Sequence, residues 1–549
     1  MKGNAAIAKI LKMEGVEFIT GFPASGVQEA AVDEDIRVIT FRSEKEAAEA
    51  ADGFTRISFG RRIGVCSVMA GPGIEVAFPG VRQAYSDGVP ILVLPSSDLR
   101  RRVSTHPNFD TMRIYREVTK WADSLVCADQ VPETMRRAFT YLRTGRPGPV
   151  LVNIPNDVGR EEFEDALFQY KPVKPAKPAG DPADVKVVAK ALIAAKNPVI
   201  RAGQGVLYAC AWDELRKLAE LLQIPVYTTM NAKSVFPENH PLALGVGGSS
   251  RTKMMAHFQD KADLVFAIGS SCTMESMTAI IPPGKVIMQS TIDERDINKD
   301  YSIEHAIIGD AKLVLGQLIE EVKKQIGPQS RKGNDGVAKE IKAIKDEFLK
   351  EWMPLFTSDE VPINPYRVIW DLMKVLDTRE TIVIHDSGTP RDHLVPFWQC
   401  VEPGTYIGYG KDHMLGGGLG KAIGAKLARP DKTVLYVCGD GAFGFEGMDF
   451  ETEVREKIPL LNIVLNNGVL SALHEYCPKA CERYGLHVLS GNYSKVAEAL
   501  GGYAERVEKP GEIIPAVQRA KKAVDSGTPA LLEIMDKEEL RLAYPARPS

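Results

Sequence analysis

The sequence has no long hydrophobic run and no excess of charge of either sign. Its 549 residues contain no apolar stretch of about 18 residues, so we expect no membrane-spanning helix. The formal net charge is −4 with both signs interspersed, which gives no basic surface for a nucleic acid. Residues 1–4 open an amphipathic helix rather than a signal peptide. We therefore expect a cytoplasmic protein without a membrane or nucleic-acid partner.

Cysteine is scarce, with eight residues scattered through the chain. Cys66, Cys127 and Cys438 lie in apolar, strand-like contexts. Cys477 and Cys481 have three residues between them, but no second pair or histidine set completes a zinc site. We expect reduced structural thiols rather than a metal centre.

Apolar strand-like runs alternate with helical segments along the whole chain. The apolar fraction of 44% and charged fraction of 26% are typical of a soluble globular protein. A chain of 549 residues exceeds one hydrophobic core, and a Pro/Lys-rich linker at 170–182 marks one boundary. The pattern predicts an α/β protein with three doubly wound parallel-sheet domains, at residues 1–168, 184–325 and 360–549.

Residues 434–467 have the pattern of one strand–helix–strand unit. Apolar runs at 434–438 and 460–465 flank an amphipathic segment, and they end in Gly439-Asp440-Gly441 and Asn466-Asn467. Asp440 and Asn467 are 27 residues apart, so they are expected at the ends of adjacent parallel strands. Carboxylate, amide and carbonyl oxygens suit Mg²⁺ or Ca²⁺ holding a diphosphate against a glycine turn. The simpler alternative is a plain Gly-Asp-Gly turn and an Asn-Asn loop.

This stretch resembles the thiamine diphosphate signature, in which Gly-Asp-Gly is followed at this spacing by Asn-Asn. The resemblance implies that thiamine diphosphate and Mg²⁺ are the cofactors. It places the metal on the side chains of Asp440 and Asn467 and on the main-chain carbonyl of Val469.

Glu44 follows an apolar strand at 36–41 and opens an alanine-rich helix. Residues 42–56, RSEKEAAEAADGFTR, resemble the family pattern Arg-His-Glu-x-x-Ala-Ala-x-x-Ala-(Asp/Glu)-Gly-Tyr-x-Arg. The resemblance implies that Glu44 is the catalytic acid that protonates the cofactor's aminopyrimidine ring, which requires a desolvated carboxyl group. The alternative is a solvated helix face, and we expect that for Glu46 and Glu49.

The resemblance implies further cofactor contacts from several loops. Leu415 takes the place of the bulky apolar residue that bends the cofactor, and His413 offers a backbone carbonyl near its amino group. Gly420 stands where the family has proline. The remaining expected contacts come from residues at strand ends: Pro23, Gly71, Gly388, Thr389, Gly439, Gly441 and Ala442.

Within the family the sequence resembles the acetolactate synthase-like group. The resemblance implies a lyase or transferase that decarboxylates or ligates a 2-oxo acid, with His106 and His474 as candidate acid–base groups, although a lone histidine is more often structural. It also implies a homodimer at least, because in the family the glutamate and the diphosphate site come from different subunits. We expect a homotetramer.

Two alternatives stay open for the activity. One is a lyase for 2-hydroxyacyl-CoA thioesters or an acyl-CoA decarboxylase, and the other is a non-catalytic cofactor-binding protein on the same fold. The central domain lacks the Arg-Phe-Asp-Asp-Arg run associated with bound flavin, so FAD is doubtful, and a nucleotide or CoA is the alternative occupant.

Overall fold

The computed structural model describes residues 1–22, 25–103, 105–327, 336–412 and 414–544. It contains three sheets, each of six strands, and every pairing inside them is parallel. Helices lie on both faces of each sheet, as connections between parallel strands require. The predicted α/β class with three doubly wound sheets is confirmed.

The first sheet has the strand order β2-β1-β3-β4-β6-β5. Its strands are β1 (Phe18–Gly21), β2 (Arg37–Thr40), β3 (Val65–Val68), β4 (Leu92–Ser97), β5 (Trp121–Ser124) and β6 (Val150–Pro155). Its helices are α1 (Gly3–Met13), α2 (Gly26–Val32), α3 (Glu44–Ile57), α4 (Pro72–Asp87), α5 (Thr111–Tyr115), α6 (Val131–Arg143) and α7 (Asn156–Arg160).

The second sheet has the order β12-β11-β10-β7-β8-β9. Its strands are β7 (Pro198–Ala202), β8 (Val226–Thr229), β9 (Ala243–Gly247), β10 (Leu264–Ile268), β11 (Val286–Thr291) and β12 (His305–Ile308). Its helices are α8 (Pro182–Ala194), α9 (Gln204–Tyr208), α10 (Trp212–Leu222), α11 (Lys253–Lys261) and α12 (Ala311–Ile326). Helix α13 (Gly336–Phe356) leads to the third sheet.

The third sheet has the order β14-β13-β15-β16-β18-β17. Its strands are β13 (Thr381–His385), β14 (Tyr406–Ile407), β15 (Thr433–Gly439), β16 (Leu461–Leu465), β17 (Tyr503–Val507) and β18 (Ala530–Ile534). Its helices are α14 (Pro365–Val375), α15 (Thr389–Leu394), α16 (Leu419–Ala428), α17 (Asp440–Glu446), α18 (Phe450–Glu456), α19 (Leu473–Tyr476), α20 (Pro478–Tyr484), α21 (Tyr493–Ala499) and α22 (Ile513–Asp525).

The order in which successive strands are added to the third sheet reverses at β13. The strand following β13 in sequence, β14, lies on one side of β13, whereas β15 lies on the other. The crevice at the carboxyl ends of two such strands is where open α/β sheets bind ligands. In the third sheet this crevice lies between the segment after His385 and the segment after Gly439.

Helix α3 of the first sheet packs directly against α16 of the third. The two helices approach so closely that a Cβ atom on Gly53 would lie 2.1 Å from the Lys421 carbonyl oxygen, and one on Gly424 would lie 2.0 Å from that of Ala50. Glycine is required at both positions because neither backbone leaves room for a side chain. This contact fixes the first residues of α3 against the segment that precedes α16.

We expect Gly424→Ala to lower the free energy of unfolding by about 1–3 kcal/mol, because the added methyl group must push α3 and α16 apart. Gly316→Ala is the matched control, since a Cβ atom at this position of α12 meets nothing within 4 Å. The control should leave stability unchanged or raise it, because alanine favours the helix. Denaturant unfolding measures the free energy of unfolding of both variants. Equal values would contradict the close approach of α3 and α16.

All eight cysteines are free thiols, in agreement with the expectation of reduced side chains. Among the described helices, none is long and apolar enough to cross a membrane.

Candidate active site

Asp440 lies at the carboxyl end of β15, at the first position of α17. Its carboxylate accepts two backbone hydrogen bonds, from Gly441 N–H at 2.8 Å and from Gly468 N–H at 3.0 Å. The second bond joins Asp440 to the loop that follows β16, the neighbouring strand. Burial raises the pKa of Asp440 above its usual value, against the lowering effect of these backbone donors. The structure therefore brings together the two loops that the sequence pairs.

The two asparagines of that loop have different surroundings. Asn466 is buried and donates to Glu533 Oε1 of β18 at 2.7 Å, so it holds the loop to the sheet. Asn467 is half-buried, and its amide oxygen accepts from Val469 N–H at 3.1 Å. Its amide nitrogen donates to Ser471 Oγ at 3.1 Å. The turn from 467 to 469 is thus ordered by the asparagine side chain next to Asp440.

Asp536 is a further acidic residue near this edge that the sequence analysis missed. It follows β18, it is 5% exposed, and its Oδ1 atom has no hydrogen-bond partner among the described residues. Burial raises its pKa well above the usual value, and the charge of Asp440 adds to the effect. A buried carboxyl oxygen that has no partner among the described residues and responds to the charge of Asp440 fits a site that takes a cation.

Glycines at the crevice leave the space that a diphosphate needs. A Cβ atom on Gly439 or on Gly388 would have its nearest neighbour, in each case an atom of Pro390, at 3.9 Å. Gly388 has a φ of +88° and precedes Thr389, the first residue of α15. Gly441 and the buried Ala442 continue the chain into α17, and a Cβ atom on Gly441 would lie 3.2 Å from Leu470 Cδ2. These residues and the oxygen donors of Asp440 and Asn467 fit a metal-bound diphosphate.

Leu415 points toward the same turn. Its Cδ2 atom lies 3.8 Å from where a Cβ atom on Gly441 would be. Leu415 is half-buried and is followed by a run of three glycines, of which Gly416 has a φ of +72°. His413 and Pro23 lie outside the described residues, so their expected contacts stay predictions.

Glu44 is the first residue of α3, the helix that packs against α16. It is 8% exposed, and burial raises the pKa of its carboxyl group. A Cβ atom on Gly73, in the first turn of α4, would lie 3.2 Å from Glu44 Oε1, so this glycine leaves room for the carboxyl group. Gly71, which caps α4, has a φ of +63° and open space around it. The hydrogen bonds of the described residues do not connect Glu44 to Asp440 or Asn467 within one chain.

The expectation that Glu46 and Glu49 form a solvated face is wrong. Both residues are 0% exposed. The face of α3 that carries them is covered by α16, and Glu49 forms an ion pair with Lys421 of that helix. Glu46 accepts from Gly420 N–H at 3.0 Å.

The two candidate histidines are exposed rather than enclosed. His106 lies on an exposed loop after β4. His474 has a half-exposed side chain 3.8 Å from Glu538 Oε1, in α19 beyond the asparagine loop. The acid–base roles of both histidines stay predictions.

Asp449 is a buried carboxyl group next to the start of α3. Its Oδ1 atom accepts from Arg42 N–H at 2.7 Å and from Thr452 Oγ1 at 2.8 Å. Burial, and after it the charge of Glu46, raises the pKa of Asp449 to about 7. The folded chain therefore holds a proton that the unfolded chain, with an ordinary aspartate pKa, has released. This proton contributes stability at low pH, and the contribution is lost as the pH rises through about 7.

Asp449→Asn removes this titration and keeps Oδ1 as an acceptor. We expect the melting temperature of the variant, relative to the native protein, to increase between about pH 5 and pH 8. Asp431→Asn is the control, because Arg429 lowers the pKa of Asp431 to about 2 and the residue does not titrate in that range. A pH-independent difference for Asp449→Asn would contradict the raised pKa.

A cavity of about 630 Å³ lies at the carboxyl ends of β7 and β10, where the second sheet reverses its strand order. Its glycine-lined floor has Gly203 and Gly269 in close approach. Its walls include cationic side chains from all three parts of the chain: Arg61, Arg143, Arg146, Lys174, Lys177, Arg201 and Lys411. Burial, and after it the charge of Arg146, lowers the pKa of Lys411 to about 8.

Comparison of the sequence with models of known protein families identifies the class of protein to which this fold and this site belong. The thiamine pyrophosphate enzyme domains match the chain in order: the N-terminal TPP binding domain at residues 1–114, the central domain at 185–318 and the C-terminal TPP binding domain at 386–534. The chain belongs to the thiamine pyrophosphate enzyme family.

Within this family the chain is similar to acetolactate synthase. It is 31% identical over 562 residues to the probable acetolactate synthase large subunit of Methanococcus aeolicus, which covers 97% of this chain and 92% of that protein. The corresponding protein of Methanocaldococcus jannaschii is 32% identical over 566 residues, with the same coverage. Glyoxylate carboligase of Escherichia coli O157:H7 is 28% identical over 542 residues, covering 95% of this chain and 90% of that protein. The resemblance to the acetolactate synthase-like group is confirmed.

Proposed function

We propose that the chain is a thiamine diphosphate- and Mg²⁺-dependent enzyme that cleaves or forms a C–C bond on a 2-oxo acid. The observation that carries the proposal is the hydrogen bond between the Asp440 carboxylate and Gly468 N–H. It places a buried carboxylate against the Asn467–Val469 turn, at an edge where glycines leave room for a diphosphate. The domains would be residues 1–168, 184–325 and 360–549.

Each residue has a distinct role in this proposal. Asp440, Asn467 and the Val469 carbonyl would hold Mg²⁺, and Gly388, Thr389, Gly439, Gly441 and Ala442 would surround the diphosphate. Leu415 would support the cofactor between its two rings, and Gly71 would line the pyrimidine side. When bound, thiamine diphosphate supplies a carbon nucleophile that adds to a carbonyl group and accepts the electron pair of the broken C–C bond. Glu44 would exchange a proton with the aminopyrimidine ring, a role that the raised pKa of its buried carboxyl group favours.

A second copy of the chain would complete the site. Hydrophobic side chains are exposed beside both halves: Met69 and Val76 near Gly73 and Glu44, and Phe445 and Met448 at and beyond the end of α17. Paired copies would cover these side chains and bring Glu44 of one copy to the Asp440 edge of the other. A homodimer is the smallest assembly that this arrangement permits, and a homotetramer of two such dimers is our proposal.

The names of the relatives indicate the reaction, since acetolactate synthase and glyoxylate carboligase are both carboligases. The test is CO₂ release by the purified protein with Mg²⁺ and thiamine diphosphate, across a panel of 2-oxo acids that includes pyruvate and glyoxylate. We expect release with at least one member, and the identity of the product then distinguishes a lyase from a transferase. No release from any member, with bound cofactor demonstrated, would reject the 2-oxo acid assignment.

The central cavity favours one alternative, a lyase or decarboxylase for acyl-CoA thioesters. Asp296 and Asp310 of its lining pair with Arg146 and Lys177, and the remaining excess of cationic residues suits a phosphate-bearing ligand such as ADP or CoA. Calorimetric titration with ADP, with CoA and with FAD shows which of these ligands the protein binds. Binding of CoA together with turnover of a 2-hydroxyacyl-CoA would favour the alternative, whereas binding of FAD would overturn our expectation that FAD is a doubtful ligand. A non-catalytic role would require that the bound cofactor is not activated.

A further inference from the structure

Charged side chains hold the backbone of the segment Gly416–Gly420. It contains four glycines and Leu419, and it lies between Leu415 and the first turns of α16. A glycine run has a large conformational freedom when unfolded and offers no side chains to fix it. Buried backbone groups without partners also cost free energy, so a buried run of this kind needs hydrogen bonds from elsewhere.

Three carboxylates bind every backbone N–H of the segment. Asp386, which follows β13, accepts from Gly416, Gly417 and Gly418 at 2.9, 3.0 and 2.9 Å. Glu446, at the end of α17, accepts from Gly418 at 3.1 Å and from Leu419 at 3.0 Å. Glu46 of α3 accepts from Gly420 at 3.0 Å.

Two lysines bind the carbonyl groups at the start of the segment. Lys45 Nζ donates to the Gly416 carbonyl oxygen, and Lys421 Nζ donates to that of Gly417 at 2.9 Å. Lys421 is 0% exposed, forms an ion pair with Glu49, and lies 4.9 Å from the centre of the Tyr409 ring. These carbonyls precede the helical hydrogen bonds of α16, so the lysines are their partners in an interior that excludes water.

We propose that Lys45 and Lys421 are positioning residues that fix Gly416–Gly420, and through it Leu415, in the geometry that receives the cofactor. The proposal rests on the function proposed above, because Leu415 is taken as the support between the cofactor rings. Lys45 and Glu46 directly follow Glu44, so one turn of α3 carries the catalytic acid of one site and holds the cofactor segment of its own chain.

The test compares Lys421→Met, Glu49→Gln and the double variant Lys421→Met/Glu49→Gln. Lys421→Met leaves the Gly417 carbonyl without a donor and leaves Glu49 unpaired. Glu49→Gln keeps the lysine–carbonyl bond, and the double variant removes the unpaired charge while the carbonyl still lacks its donor. Lys426→Met is the matched control, because Lys426 binds the Pro430 and Lys432 carbonyls at the far end of the same helix.

Hydrogen–deuterium exchange of the apoprotein measures how well the backbone amides of residues 416–420 are protected, without any cofactor. We expect the amides of residues 416–420 to exchange about tenfold faster in Lys421→Met and in the double variant, but not in Glu49→Gln or Lys426→Met. The melting temperature should fall in Lys421→Met and recover in the double variant. The dissociation constant of thiamine diphosphate with Mg²⁺ should rise about tenfold in Lys421→Met and in the double variant, but not in Lys426→Met.

Native exchange at residues 416–420 in the double variant would overturn the proposal. Faster exchange spread evenly over the whole chain would also overturn it, since that result shows a general loss of stability. A native cofactor isotherm despite faster local exchange would overturn the link to the cofactor. If the native protein itself does not bind thiamine diphosphate, the proposed function fails. The exchange rates of the apoprotein still decide whether Lys421 fixes the backbone of residues 416–420.

Discussion

Glu44→Gln should lower turnover by about 10²–10⁴-fold, the range expected when a general acid–base group is lost. Glutamine has nearly the same shape and keeps a hydrogen-bonding group at the start of α3, but it cannot deliver a proton. No hydrogen bond among the described residues joins Glu44 to Asp440, so cofactor binding should persist. Steady-state kinetics on the best substrate of the panel, with a thiamine diphosphate isotherm, measures both properties.

Glu133→Gln is the control for this prediction. Glu133 also lies in the first turn of a helix of the same sheet, but its side chain is 58% exposed and pairs with the exposed Arg137. The control should keep native turnover. Unchanged turnover in Glu44→Gln would remove this residue from the chemistry, and a lost isotherm would assign it to binding instead.

Asp440→Ala should weaken Mg²⁺-dependent binding of thiamine diphosphate by about a hundredfold, because a charged ligand to the cation is removed. Turnover should fall with it at limiting cofactor. Asp431→Ala is the control, since Asp431 precedes the opposite end of the same strand and pairs with Arg429 at the surface. Calorimetric titration with and without Mg²⁺ measures the effect, and an unaltered isotherm would reject the metal assignment.

Mixing the two inactive variants tests whether two copies share the site. In a Glu44→Gln/Asp440→Ala heterodimer, one site combines both substitutions and the other has neither. Equal amounts after subunit exchange should therefore recover about a quarter of native activity. No recovery, despite demonstrated exchange, would show that Glu44 and Asp440 of the same chain act together.

The sequence predicts the sheets and the Asp440 edge because both depend on local patterns. Apolar runs mark the strands, and parallel strands connected by a helix bring the ends of successive strands together. This reasoning places Asp440 beside Asn467. It does not reach Asp536, because the position of β18 next to β16 depends on the order of strands in the sheet, which the sequence does not state.

The burial of Glu46 and Glu49 also depends on tertiary structure. Read alone, α3 has acidic residues among alanines, the usual pattern of a helix with one solvated face. The partners that α16 supplies to them lie more than 370 positions away in the sequence, at Gly420 and Lys421. The available cue was Lys421 itself, a lysine within an otherwise small and apolar helix segment that needs a buried counter-charge.

The most direct test of the account is the exchange of the C2 proton of bound thiamine diphosphate for deuterium. The native protein with Mg²⁺ should accelerate this exchange at least about a hundredfold over the free cofactor, and Glu44→Gln should abolish the acceleration. This result would establish that the chain activates the cofactor through Glu44, whichever substrate follows. Exchange at the free rate in native protein with the cofactor bound would contradict the account and leave a cofactor-binding protein without this chemistry.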